Sequence, residues 1–274
     1  LIIVIILQAV QISLAIWLNG FGLIKLPAGW QTLFAIGFSV VPAVVWLYFF
    51  AIQDIYEKEP YLHLSGMFVF GLIMAFGFSM SLERVFAQSH NGIAVASAAT
   101  LPEAILVFGC IHELTKFLIL RYTVFQSSEF NEPADGIFYA IAVSLGFATA
   151  YNITYFISLP VINAVTILIR TTEFYLINGI IGGLMGYFVG KAKFDMPHRE
   201  RWLTAGFLLT TLLTGIYQHI GEGMHNDKTS LITNLIIISI ISVSLYAVLL
   251  YFLQKFIKIS PFRPDTDNIF DKKP

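Results

Sequence analysis

The sequence predicts an all-α bundle of transmembrane helices with about eight spans, and three observations carry that expectation. Hydrophobic residues make up 57% of the 274 and charged residues only 12%, with a mean hydropathy of +0.77. That balance leaves too little polar surface to cover a water-soluble globule. Apolar runs near the ~20 residues needed to cross a hydrocarbon core recur along the whole chain, and most of the charges fall between them. One transmembrane domain is therefore expected over residues 1–259. A solvated cytoplasmic tail over 260–274, with three prolines and mixed charge, follows it.

The runs lie at about residues 1–18, 32–52, 64–82, 104–120, 136–159, 172–190, 202–220 and 231–254. The first reads either as a signal anchor or as a true span. The second contains Pro42, which membrane helices tolerate because neighbouring groups re-satisfy the freed carbonyl. In the sixth region Arg170-Thr171-Thr172 separates apolar residues 161–169 from 173–190. These pieces form either one long tilted helix or a short interfacial piece followed by a span. Gly179, Gly182, Gly183 and Gly186 suit close helix packing there. Trp17, Trp30, Trp46 and Trp202 fall near span ends, where indoles anchor to the membrane interface.

Alternating the spans places Lys58, Arg121, Lys191, Lys193, Arg199, Arg201, Lys255, Lys258, Arg263, Lys272 and Lys273 on one side, with Lys116 near it. Lys25, Arg84, Arg170 and Lys228 fall on the other. The positive-inside rule then puts both termini and the 191–201 loop in the cytoplasm, and the loops at 83–103 and 221–230 outside. Net charge is −1, so there is no basic field for nucleic acid. The single cysteine, Cys110, excludes an internal disulfide and most thiolate metal sites.

The strongest chemical signal is His112-Glu113-Leu114-Thr115-Lys116, which puts three ionisable side chains inside the fourth apolar run. An acid or lysine at a helix centre costs roughly 2.5–3.5 kcal/mol on insertion scales, so such residues rarely persist without a partner or a task. The segment starts like the zinc-protease pattern H-E-x-x-H, but Lys116 stands where the second imidazole is needed. No metal and no cofactor is implied. Glu113 and Lys116, at i and i+3, share a helix face and can pair. His219, Glu222 and His225, with His90 in another loop, read as exposed polar loop rather than as converging ligands, because Gly221 and Gly223 favour a helix end. Tyr139, Tyr151 and Tyr155 share the fifth run, where they either line a cavity or pack.

Four stretches together resemble the PrsW family of intramembrane endopeptidases, relatives of the CAAX-processing proteins, over roughly residues 40–220. They are Asp54-Ile-Tyr-Glu57-Lys58-Glu59-Pro60; His112-Glu113-Leu-Thr-Lys116-Phe117; the run from Phe130-Asn-Glu132-Pro133-Ala-Asp135-Gly136 into Tyr151-Asn152-Ile-Thr-Tyr155-Phe156; and Arg170 followed by Gly186-Tyr-Phe-Val-Gly190. The resemblance implies adjacent glutamates on one helix and histidines on later helices, which together activate a water for attack on a peptide bond within the bilayer.

Several of those positions are replaced. His112 stands for the first glutamate, Tyr151 for the glutamate before Asn152, and Asn178 and Thr214 for the histidines. Glu113, Lys116, Asp135, Asn152 and Arg170 remain. Residues that act as a unit lose most of their effect when one is removed. His112 could supply a base and Asn178 an oxyanion donor, yet successive helical residues point about 100° apart, so His112 and Glu113 do not face one another. The expected protein keeps a cavity lined by Lys116, Asp135, Tyr151, Asn152 and Arg170, lacks efficient proteolysis, and binds another transmembrane segment among the membrane lipids as a scaffold or assembly subunit. The alternatives are an active endopeptidase that cleaves single-span membrane proteins and a lipid or small-molecule carrier.

Overall fold

The computed structural model describes residues 1–18, 29–55, 57–89, 100–159, 161, 163–223 and 228–262. His90, His225, Lys25 and residues 263–274, which figure in the expectations above, lie outside the described residues.

The described chain is helical throughout: α1 (Ile2–Leu18), α2 (Gln31–Ala51), α3 (Tyr61–Met74), α4 (Met80–Ser89), α5 (Leu101–Ala104), α6 (Cys110–Tyr122), α7 (Asp135–Ser158), α8 (Ala164–Thr171), α9 (Glu173–Phe194), α10 (Arg199–Gly223) and α11 (Lys228–Ile259). Two π-helical turns interrupt otherwise continuous helices, Ala75–Ser79 between α3 and α4 and Ile105–Gly109 between α5 and α6. Such turns often mark functional sites. Here each one leads into a helix that carries a charged residue of the polar cluster described below.

Five helical stretches are long and apolar enough to cross a membrane, not about eight: Gln31–Ala51, Tyr61–Phe86, Asp135–Ser158, Ala164–Phe194 and Ile232–Ile259. The difference has a physical cause in each remaining run. Ile2–Leu18 is only 17 residues long. The α5–α6 stretch carries Glu103, Glu113, Lys116 and Arg121. Helix α10 is diluted by Thr204, Thr210, Thr211, Thr214, Gln218 and His219. Over residues 164–194 the chain forms one long, nearly continuous helix, with Thr172 N–H bonded to Leu168 O at 3.0 Å and Leu176 N–H to Thr172 O at 3.0 Å.

Helix α7 is the axis of the bundle. Within its most apolar 18-residue window 89% of residues are buried, whereas Gln31–Ala51 has 28% and faces outward over most of its surface. Glycines let the neighbours close on α7. A methyl group on Gly146 would stand 1.9 Å from the Phe68 carbonyl oxygen, and one on Gly186 would stand 2.1 Å from that of Gly136. The glycine run of α9 therefore serves packing, with Gly182 against Ser144 and Gly183 against Leu249.

At one end of the bundle, polar bonds gather several loops. Asn131 Nδ2 donates to Glu57 Oε1 at 3.1 Å, Lys193 Nζ to Ser127 O at 2.9 Å, and Ser260 to Glu132. The opposite end carries Arg84, Ser158 and Arg170.

Candidate polar site within the membrane bundle

Helix α6 turns His112, Glu113 and Lys116 into the interior; Glu113 has no exposed surface and Lys116 only 2%. The i, i+3 spacing brings the Lys116 ammonium onto Glu113 Oε1. The same oxygen accepts a hydrogen bond of 2.6 Å from Thr214 Oγ1 on α10. Lys116 Nζ lies 5.4 Å from the centre of the Phe147 ring on α7. Glu113 Oε2 has no hydrogen-bond partner among the described residues.

His112 belongs to an adjoining set. Its Nε2 is 2.6 Å from Glu83 Oε1 on α4, and Tyr151 OH donates to that oxygen at 2.7 Å. Ser79 Oγ lies 3.0 Å from Tyr151 OH. The imidazole centre is 4.7 Å from the Tyr151 ring and 4.9 Å from that of Phe147, rings that themselves stack at 4.9 Å. Positions 113 and 214 thus meet in one set and positions 112 and 151 in the other, with the Phe147 ring between them. Glu83 is an additional member that sequence reasoning assigned to a loop. Its one sequence signal is a carboxylate placed directly at the end of an apolar run.

The remaining candidates are distributed differently. Asn178 Nδ2 donates to its own helix at Phe174 O, 2.8 Å away. Asn152 Nδ2 donates to Arg170 O at 3.0 Å and its Oδ1 accepts from Arg170 NH1 at 3.3 Å. The Arg170 guanidinium lies 3.7 Å from the Tyr155 ring centre and 4.9 Å from that of Phe174. A cavity of about 380 Å³ joins the two regions, with Glu83 and Tyr151 on its wall beside Arg84, Tyr155, Arg170 and Gln218.

Asp135 lies elsewhere, at the α7 N-terminus, where Oδ2 accepts the backbone N–H groups of Asn131 and Glu132 at 2.8 Å each. Around it are Asp54, Glu59 and Glu132, with Tyr139 OH bonded to Glu59 and the Glu59 N–H bonded to Asp54 Oδ2 at 3.1 Å. Burial raises the Asp54 carboxyl to about 6 and pushes those of Glu59 and Glu132 upward as well. Among the described residues, no three His, Cys, Asp or Glu side chains gather closely enough to share a metal ion.

Known proteins resemble the chain over most of its length. Residues 59–253 match the family described as "PrsW family intramembrane metalloprotease". The chain is 36% identical to "Protease PrsW" of Geobacillus kaustophilus over 179 residues, 65% of this chain and 76% of that protein. It is 31% identical to "Protease PrsW" of Bacillus subtilis, covering 69% of this chain and 83% of the relative. For the protein of the same name in Clostridioides difficile the identity is 27%, covering 66% and 76%. No solved structure matches the chain. A family match over most of the chain, with relatives that are themselves covered over three quarters of their length, makes this a bacterial-type integral membrane protein that belongs to the PrsW family.

Proposed function

We propose that this PrsW-family protein binds a transmembrane segment of another protein against the helices around its polar cluster and holds it without cutting. The observation that carries the reading is the occupancy of Glu113. One carboxylate oxygen meets both the Lys116 ammonium and the Thr214 hydroxyl. A general base needs a lone pair within reach of a water, and the geometry spends this one on structure. His112 is engaged likewise with Glu83. The family description implies a catalytic metal, but the described donors do not fit one: no three suitable side chains converge, and the imidazole nearest to Glu113 is already bonded.

A second reading, an active endopeptidase, draws on one observation. Glu113 Oε2 is buried without a partner, so that oxygen remains for a water, and relatives at 36% and 31% identity are named proteases. The two readings separate in one experiment. A photocrosslinking residue replaces Thr154, which lines the cavity, and the adducts formed in intact cells are sized by mass spectrometry. Full-length partner chains support binding without cleavage. Fragments that vanish in Glu113→Gln establish the peptidase instead.

Orientation is part of the same proposal. The end that gathers Glu57, Ser127, Lys193 and Ser260 also lies beside Lys58, Lys191, Arg199, Arg201, Lys255 and Lys258, and the positive-inside rule assigns it to the cytoplasm.

A further inference from the structure

Arg170 has no counter-ion among the described residues. It is half-buried in the last turn of α8, held flat by Tyr155 and Phe174, and bonded through NH1 to the neutral Asn152 at 3.3 Å. None of the ion pairs among the described residues includes it. A guanidinium carries five N–H donors in a rigid fork, so beyond the contacts with Asn152 and Tyr155 donors remain for something else. The 380 Å³ cavity lies against it.

That cavity is unbalanced in charge. Arg84, exposed at α4, lines it with Arg170, and the one carboxylate on its wall among the described residues, Glu83, is already bonded to His112 and Tyr151. Two guanidinium groups beside a single engaged carboxylate call for an anion. Depth narrows its identity. Arg84 is two residues from the end of the candidate span Tyr61–Phe86 and Ser158 is the last residue of Asp135–Ser158, so the cavity lies at the ends of two candidate spans, the level at which lipid phosphates meet a bilayer-spanning helix. Its aromatic and thioether walls, Phe108, Tyr155, Phe174 and Met80, suit the apolar beginning of an acyl chain, and its volume falls in the ordinary range of small-molecule sites, roughly 300–1,000 Å³. Planar forks of this kind bind phosphate oxygens in pairs.

We propose that Arg170, assisted by Arg84, holds the phosphate of one anionic phospholipid in this cavity, beside Glu83. The site is independent of whether the protein cleaves, because it uses neither Glu113 nor His112.

The full chain, purified in detergent, is exposed to phosphatidylglycerol, phosphatidylcholine or inorganic phosphate and read by native mass spectrometry. The expected result is one retained phosphatidylglycerol per chain, weaker retention of phosphatidylcholine, and affinity about tenfold lower in Arg170→Gln, as loss of a charge-assisted bond predicts. Arg170→Lys, which keeps the charge but not the fork, falls between. Should Arg170→Gln misfold, the unmodified protein supplies the test: phosphatidylglycerol shields Arg170 from phenylglyoxal while phosphatidylcholine does not. Equal retention of the two lipids, or unchanged retention in a folded Arg170→Gln, overturns the proposal. So does equal shielding by inorganic phosphate, which would assign the site to the free ion. Shielding only by a membrane-spanning peptide with an acidic flank would assign Arg170 to a peptide carboxylate and would also overturn it.

Discussion

Thr214 and Glu113 are 101 residues apart in sequence and 2.6 Å apart in space, and the Thr214 hydroxyl donates to the oxygen that also pairs with Lys116. One carboxylate thereby ties α10 to α6, and it does so where water cannot compensate for a broken bond.

Removing one partner should be costly. Glu113→Gln or Lys116→Met alone leaves a buried charge unpaired, a loss of roughly 3–5 kcal/mol. The double substitution should cost much less than the sum. Thr214→Val removes one charge-assisted bond, about 1.5–3 kcal/mol. Unfolding in mixed detergent measures all four proteins. Additive losses for Glu113 and Lys116 would show that the two do not act as a pair.

This pair was legible in the sequence because i, i+3 spacing is local information. The Thr214 bond and the Glu83–His112 contact were not, since each depends on which helices become neighbours. Replaced positions 112, 151 and 214 were identifiable as places that differ from a family pattern, yet nothing local said that Tyr151 and His112 would share Glu83. The span count failed for a related reason. A run such as 202–220 looks apolar in sum, but its threonines at 210, 211 and 214 are buried in the bundle, so the segment is less apolar than a lipid-facing helix. Helix α7 was readable because almost every residue is apolar or small, as burial on all sides requires.

Helix packing gives a prediction with an internal control. Gly146→Ala puts a methyl group against the Phe68 backbone, whereas Gly66→Ala meets nothing within 4 Å. The first should destabilise by about 1–3 kcal/mol through overpacking; the second should be neutral or slightly favourable, because alanine is the better helix former. Matching thermal unfolding midpoints for the two variants would refute the close α3–α7 contact.

The acidic end should respond to pH. Asp54 titrates near 6 in the folded protein against an ordinary 3.8, and the Glu59 carboxyl is also raised, both through burial. A raised folded pKa means that the folded state holds the proton more tightly, so this contribution is complete below the ordinary value and is lost as pH rises through the folded one. Segments 54–60 and 131–135 should therefore loosen from about pH 4 to 6 as Asp54 ionises, and further at higher pH as Glu59 follows. Hydrogen exchange corrected for intrinsic rates reads this. Asp54→Asn with Glu59→Gln, which keeps acceptors for the Glu59 N–H and Tyr139, should flatten the profile; an unaltered profile would place the sensitivity elsewhere.

Orientation is open to labelling in a Cys110→Ser background. Cysteine at 195, beside Lys193 and Arg199, should react only after permeabilisation, while cysteines at 92 and 227 should react from outside. The opposite pattern would invert the bundle.

The last prediction concerns the replaced positions. If proteolysis was lost because positions 112, 178 and 214 changed, restoring them should recover it. The geometry favours two of the three. An imidazole at 214 starts from a position already within bonding reach of Glu113, and a glutamate at 112 would take over a place lined by Tyr151 and Phe147, where it would share a proton with Glu83. Position 178 is less prepared, since Asn178 bonds back to Phe174 O and the larger imidazole must leave that carbonyl. Accordingly His112→Glu with Thr214→His should give weak cleavage of a reconstituted single-span protein, Asn178→His should raise it, and Glu113→Gln should abolish it in every background. A folded triple variant with no cleavage would mean that the scaffold itself, rather than these three side chains, has departed from a peptidase. Cleavage by the unmodified chain that depends on Glu113 would show that the Lys116 and Thr214 contacts leave enough of that carboxylate free to work.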